Sequence, residues 1–129
     1  MFIKLQDIEE KAFLDTGADA NLASKAFIST LGIIPTSCER PVRFEMGDKK
    51  HFEATEEVDV PVKILHRNRQ TYSPAYSEKF LIMDYPLDRH NVVLGRGFCE
   101  KYEILIKSYL FAGFVAQQTP GDDVCSVAG

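Results

Sequence analysis

The sequence predicts an all-β domain whose sheet is closed or nearly closed. Three observations carry that expectation. Short apolar or alternating segments recur along the chain, among them Phe2 to Gln6, Val42 to Glu45, Val58 to Ile64, Lys79 to Met83 and Val92 to Leu94. Clusters of Gly, Pro, Asn and Asp separate them. Helical signals are confined to two brief stretches, one after Ser24 and one from Gly97. Many short strands with little helix bury their apolar faces by closing a sheet on itself or stacking it. At 129 residues the length fits one domain.

Taken in order, Phe2, Lys4 and Gln6 alternate with Ile3 and Leu5. A polar turn is expected near Asp7 to Glu9, with Lys11 to Leu14 as the return strand of a hairpin. Asp15 then falls in the loop after a buried strand, where a rigid strand end can hold a side chain in place. Ser24 is a candidate cap for a short helix over Lys25 to Leu31, with Phe27 and Leu31 on one face and Gly32 as the stop. Pro35 and Pro41 bracket an expected irregular link. Val42 to Glu45 and His51 to Ala54 flank Met46-Gly47-Asp48-Lys49-Lys50, which has the turn chemistry of a hairpin tip.

Val58 to Ile64 alternates cleanly and predicts a strand with one buried face, Pro61 implying an edge or a bulge. Leu65 to Ser77 is polar and too long for a tight turn, so an exposed excursion open to proteolytic nicking is expected. Lys79 to Met83 and Val92 to Leu94 are apolar enough for central strands, joined by a turn holding Pro86, Asp88, Arg89 and Asn91. Gly97 to Tyr102 is a candidate helix, Glu103 to Ile106 a returning strand, and Tyr109 to Val115 a last apolar run. The small, polar Thr119 to Gly129 reads as a flexible tail.

Composition narrows the function classes. Hydrophobic content of 45% and charged content of 26% are those of an ordinary globular domain. A net charge of −4 argues against nucleic-acid binding, which favours a basic face; the basic cluster His66-Arg67-Asn68-Arg69 reads as a solvated loop. No stretch reaches the ~20 apolar residues of a membrane span, and no signal-peptide pattern is seen. The start at Met1-Phe2-Ile3 enters strand-like sequence at once, as a mature fragment would, and a cytoplasmic setting is expected. Cys38, Cys99 and Cys125 lack the paired spacing of a zinc site and read as reduced thiols, Cys99 in the core. His51, His66 and His90 are too scattered for a metal site, so neither metal nor cofactor is expected.

The chemistry-bearing feature is Asp15-Thr16-Gly17, which ends the apolar run Ala12-Phe13-Leu14 and is followed by Ala18-Asp19. A second motif, Val92-Val93-Leu94-Gly95-Arg96-Gly97-Phe98, lies far downstream. The triplet looks like an aspartic-protease active site, and the pair of motifs in this order resembles the retroviral-type aspartic proteases, the retropepsins, from Phe13 to Ile106. Leu22-Ala23-Ser24-Lys25 and Gly97-Phe98-Cys99-Glu100-Lys101-Tyr102-Glu103 are most similar to the polyprotein proteases of plant pararetroviruses, the caulimovirus and badnavirus kind.

That resemblance implies a closed β-barrel with a flap hairpin and one or two short helices, active as a two-fold dimer. Only one Asp-Thr-Gly loop is present, so a second catalytic aspartate would come from another copy. It also implies roles. Asp15 would be the catalytic carboxylate, Thr16 would bond across the dimer axis, and Gly17 would offer its backbone to substrate. Ala18 and Asp19 would border the subsites, with Met46, Gly47 and Asp48 at the flap tip touching substrate. Leu94, Gly95 and Arg96 would support the site, Arg96 pairing with Asp19. Residues 1–116 would form the protease domain and 117–129 a tail. The implied activity is cleavage of a viral polyprotein, self-release included, in the host cytoplasm or in association with virions, with no nucleic-acid or membrane partner. The flap tip is poorer in glycine than in many relatives, and the tail exceeds a minimal retropepsin.

Peptide hydrolysis without metal or covalent intermediate needs one group to deprotonate water and another to protonate the carbonyl oxygen. Two facing carboxylates sharing one proton supply both, and the titration belongs to the pair. A bell-shaped acidic to near-neutral pH profile is the expectation. Three other uses of Asp15 stay open: a nucleophile of the aspartyl-phosphate kind, an Asp that only caps a turn, and a catalytically silent dimeric peptide-binding or scaffold module on the same fold.

Overall fold

The computed structural model describes residues 1–45, 51–65, 71–84 and 90–107. Among them the chain is mostly β, with one nearly closed, barrel-like sheet of eight strands and few short helices. The strands are β1 (Phe2–Leu5), β2 (Ile8–Lys11), β3 (Phe13–Leu14), β4 (Leu22–Ser24), β5 (Thr36–Glu45), β6 (His51–Ile64), β7 (Tyr76–Met83) and β8 (Val92–Leu94). The helices are α1 (Lys25–Thr30) and α2 (Arg96–Lys101). The sheet order is β2-β1-β6-β7-β4-β8-β3, with β5 paired to β6.

β6 organises the barrel. Its burial alternates along 14 residues, Val58, Val60, Val62 and Ile64 pointing into the core. Each such side chain contributes roughly 1.5–3 kcal/mol on burial. Pro61 is neither at a sheet edge nor in a bulge: it pairs in register with Ser77. Its carbonyl accepts Gln6 N–H at 3.4 Å, just past the last pair with β1, Leu5 and Val62. The N–H it lacks is on that same side, where the ladder is already ending.

The first hairpin turns earlier than expected, at Gln6 and Asp7, and its return strand begins three residues sooner, at Ile8. β2 is Ile8–Lys11, paired from Leu5↔Ile8 to Phe2↔Lys11, and Gln6 takes the turn with φ of 57°. Phe13–Leu14 is thereby freed from the hairpin and runs parallel to β8. The expected irregular link after Pro35 is strand β5 broken by a large bulge. Thr36 and Ser37 pair with Glu57 and Glu56, and regular pairing resumes at Val42↔Ala54, accommodating Pro41. Beyond it the expected hairpin is present, Arg43↔Glu53, Phe44↔Phe52 and Glu45↔His51. Its tip residues Met46, Gly47 and Asp48 lie outside the described residues, as do residues 66–70, 85–89 and 108–129.

The excursion after β6 is pinned at its base. Leu65 bridges Tyr72, and buried Ser73 accepts Ile64 N–H on its hydroxyl at 2.8 Å. α1 starts as expected: Ser24 Oγ accepts Phe27 N–H at 3.2 Å, and Gly32 follows with φ of 71°. The strand expected at Glu103 to Ile106 is helix instead, residues 103–107 being helical. A strand would put Ile104 and Ile106 on one face. The structure buries Ile106 with Tyr102, one helical turn back, and leaves Ile104 85% exposed. Ile106 N–H donates to Tyr102 O at 2.8 Å.

Two apolar clusters result. The larger fills the barrel, with Ile3, Leu5, Leu14, Phe80, Val92, Leu94 and Phe98 among its members. The smaller joins Ala18 and Leu22 to Phe44, Ala54, Leu81, Met83 and Val93. β8 feeds both, Val92 and Leu94 on one face and Val93 on the other, which is why it reads as an unbroken apolar run.

Candidate active site

β8 lies between two strands of the first half. It runs parallel to β3 through Phe13↔Val93 and Leu14↔Leu94, and antiparallel to β4 through Leu22↔Val93 and Ala23↔Val92. The loop 15–21 that joins β3 to β4 must therefore cross the end of β8, where Gly95 sits. The crossing is tight. A Cβ at Gly95 would lie 2.5 Å from Ala20 O and 2.9 Å from Ala18 O, so only glycine lets the two backbones approach this closely.

The crossing is laced by hydrogen bonds. Asp15 N–H donates to Leu94 O at 2.9 Å, and Arg96 N–H to Ala18 O at 2.9 Å. Gly95 N–H donates to the Asn21 side-chain oxygen at 2.9 Å. Within the loop, Ala18 N–H reaches back to Asp15 O at 3.0 Å, and Ala18 is fully buried. Asp15 itself is only 7% exposed, and its Oδ1 accepts Gly17 N–H at 2.9 Å. A carboxylate so buried needs such donors.

Thr16 is half-buried and its carbonyl accepts Arg96 Nε at 2.9 Å. The Nη2 of Arg96 stands 3.6 Å from Asp19 Oδ1, which is the pairing expected of these two residues, although both are about half exposed in the single chain. The other Asp19 oxygen accepts Glu45 N–H at 3.0 Å, while Asp19 N–H donates to Glu45 O at 3.2 Å. One aspartate thus ties the base of the β5–β6 hairpin to the start of α2. Arg96 adds the loop carbonyl of Thr16 to the same network.

Sequence reasoning missed Asn21 and Glu45. Asn21 also donates from Nδ2 to Lys79 O at 3.2 Å, and its carbonyl accepts Leu81 N–H at 2.9 Å, joining the loop to β7. Its only signal was a polar residue in the run Ala18 to Ala23; Glu45 gave none, because its contribution is backbone. Leu94 is fully buried beneath Asp15 and packs in the main core. Cys99 is also buried near the loop. Burial, and then the negative charge of Asp15, push its thiol up to about 11. Among the described residues of the loop, Asp15 carries the buried ionisable side chain. Among the described residues no cluster of His, Cys, Asp and Glu could hold a metal ion, and no helix is long and apolar enough to cross a membrane.

Compared with models of known protein families and with curated protein sequences, the chain matches none.

Proposed function

We propose that this chain is an aspartic endopeptidase of the retropepsin type, acting as a homodimer in which each copy contributes one Asp15. The observation that carries the reading is the setting of Asp15: a buried carboxylate at a strand end, in a loop wedged over Gly95 and held by Gly17 N–H. A turn-capping Asp could share the Gly17 bond, but it has no need of the burial or of the wedge.

In the mechanism, the two Asp15 carboxylates hold one proton between them. The ionised one takes a proton from water, and the hydroxide oxygen bonds to the carbonyl carbon of the substrate. The protonated one gives its proton to the carbonyl oxygen. The tetrahedral adduct then collapses as a proton passes to the leaving nitrogen and the C–N bond breaks. Thr16 would bond across the two-fold axis, and Gly17 would present its backbone to an extended peptide. A preference for apolar side chains near the cut belongs to the same reading. Processing of a viral polyprotein in a host cell, self-release included, is the substrate context we propose.

The test is cleavage of a broad peptide library by the chain and by its Asp15→Asn form, from acidic to neutral pH and at several protein concentrations. Cleavage by the parent alone, with a bell-shaped pH profile and a rate rising more steeply than concentration, is expected. Silence of both at concentrations where sedimentation shows a dimer would replace the enzyme with a peptide-binding module.

A further inference from the structure

A cleft of about 540 Å³ opens beside the loop, starting at Asp19 rather than at Asp15. Its origin is topological. Among the described residues β4 pairs with β7 only at Leu81 to Met83, the first half of β7 has no strand neighbour on that side, and α2 stands across the gap. The floor is apolar, from Val42, Leu81 and Phe98. Gly97 borders it with nothing within 4 Å of where a Cβ would be.

Two ion pairs form the walls, and their members differ in exposure. Lys79 Nζ lies 3.1 Å from Glu57 and Lys101 Nζ 2.9 Å from Glu78. The lysine side chains are 58% and 61% exposed, the glutamates 23% and 10%. Glu78 is further held by Tyr102 Oη at 2.6 Å. The carboxylates are therefore the more buried members of the cleft, Glu78 the more firmly held, whereas the ammonium groups sit on solvated stems, that of Lys79 paired with Glu57 at the more exposed of the two sites.

Resting on the protease reading, we propose that this cleft is a specificity subsite for a basic side chain, Arg or Lys, at a substrate position flanking the cut. The aliphatic stem covers Val42, Leu81 and Phe98, and the cationic head replaces a lysine at Glu57 or Glu78. An acidic side chain meets the same two carboxylates, and the two cations of the cleft, Lys79 and Lys101, are already engaged by Glu57 and Glu78.

The experiment compares peptides carrying Arg, Gln, Glu or Ala at each position around one cleaved bond. Arg is expected to exceed Gln by about tenfold in kcat/KM at one flanking position, acting mostly through KM, with Glu the poorest. Glu57→Gln is expected to reduce that ratio several-fold and Lys79→Met to raise it. Gly97→Leu, which fills the cleft, is expected to abolish the ratio, with thermal melting confirming the fold. A flat series, a preference for Glu, or ratios unmoved by these variants would overturn the subsite and leave the protease intact. Should no peptide be cleaved, the protease reading fails, and binding of a fluorescent Arg peptide to the Asp15→Asn chain decides the cleft. Binding weakened by Glu57→Gln supports the cleft, and binding indifferent to it overturns the proposal.

Discussion

Gly95 and Gly97, two residues apart, are expected to respond in opposite ways to the same change. At Gly95 a methyl group meets two backbone carbonyls at under 3 Å, and backbone cannot step aside as a flexible side chain can. Gly95→Ala should cost about 2 to 3 kcal/mol or more in denaturant unfolding. Gly97→Ala meets open space inside α2 and should gain about 0.5–1 kcal/mol. Cys99 offers a second check. Its thiol, raised from 9.0 to about 11 first by burial and then by Asp15, favours the protonated form in the folded chain. That contribution to stability is complete below pH 9 and is lost as pH rises to about 11. Lys101, raised first by its hydrogen bond to Glu78, and Tyr102, raised first by burial, act with the same sign above pH 10. Denaturation midpoints should hold up to about pH 9 and decline beyond it. In the same range, thiol labelling of Cys99 should be slow until the pH approaches 11.

At the scale of elements, α2 is short and its N-cap, Gly95, offers no side chain, so it contributes little by itself. Its importance lies in what it carries to the loop. Arg96 reaches Thr16 O and Asp19, and Asp19 reaches the hairpin at Glu45. Because the Arg96 and Asp19 side chains are 52% and 46% exposed, Arg96→Ala should cost about 1 kcal/mol or less in stability. Peptide cleavage should nevertheless fall at least tenfold, since the loop bearing Asp15 loses a fixed anchor. Arg96→Lys keeps the charge without the planar Nε–H donor and should recover only part of the rate. A fall in stability matching the fall in rate would show that Arg96 merely holds the fold.

For the molecule as a whole, one sheet wraps one main core, and the loop of Asp15 lies at the end of its short, buried strands. If two copies meet across Thr16, assembly and folding are linked. The melting temperature should then rise with protein concentration, and an active-site peptide inhibitor should raise it further. A melting temperature independent of concentration over a hundredfold range, alongside full activity, would speak for a working monomer.

The elements were legible in the sequence because they rest on local rules. Ser24 caps α1 and Gly32 ends it, Val58 to Ile64 alternate on β6, and the two motifs frame the candidate site. What local rules cannot carry is which strands become neighbours. Phe13–Leu14 looked like the return of a hairpin, yet pairing with distant β8 buries both faces of β8 and overrides proximity. Glu103 to Ile106 fits either period, and packing of Ile106 beside Tyr102 chose the helix. Asn21, Glu45 and the charged cleft beside α2 exist only once the loop has crossed β8, since each depends on backbone groups brought together from remote parts of the chain. The sequence by itself determined the β character, the Ser24 cap of α1 and the place of the Asp15 carboxylate after a buried strand. Tertiary structure alone decided the crossing that buries Asp15 over Gly95, because burial is a property of neighbours and not of the residue.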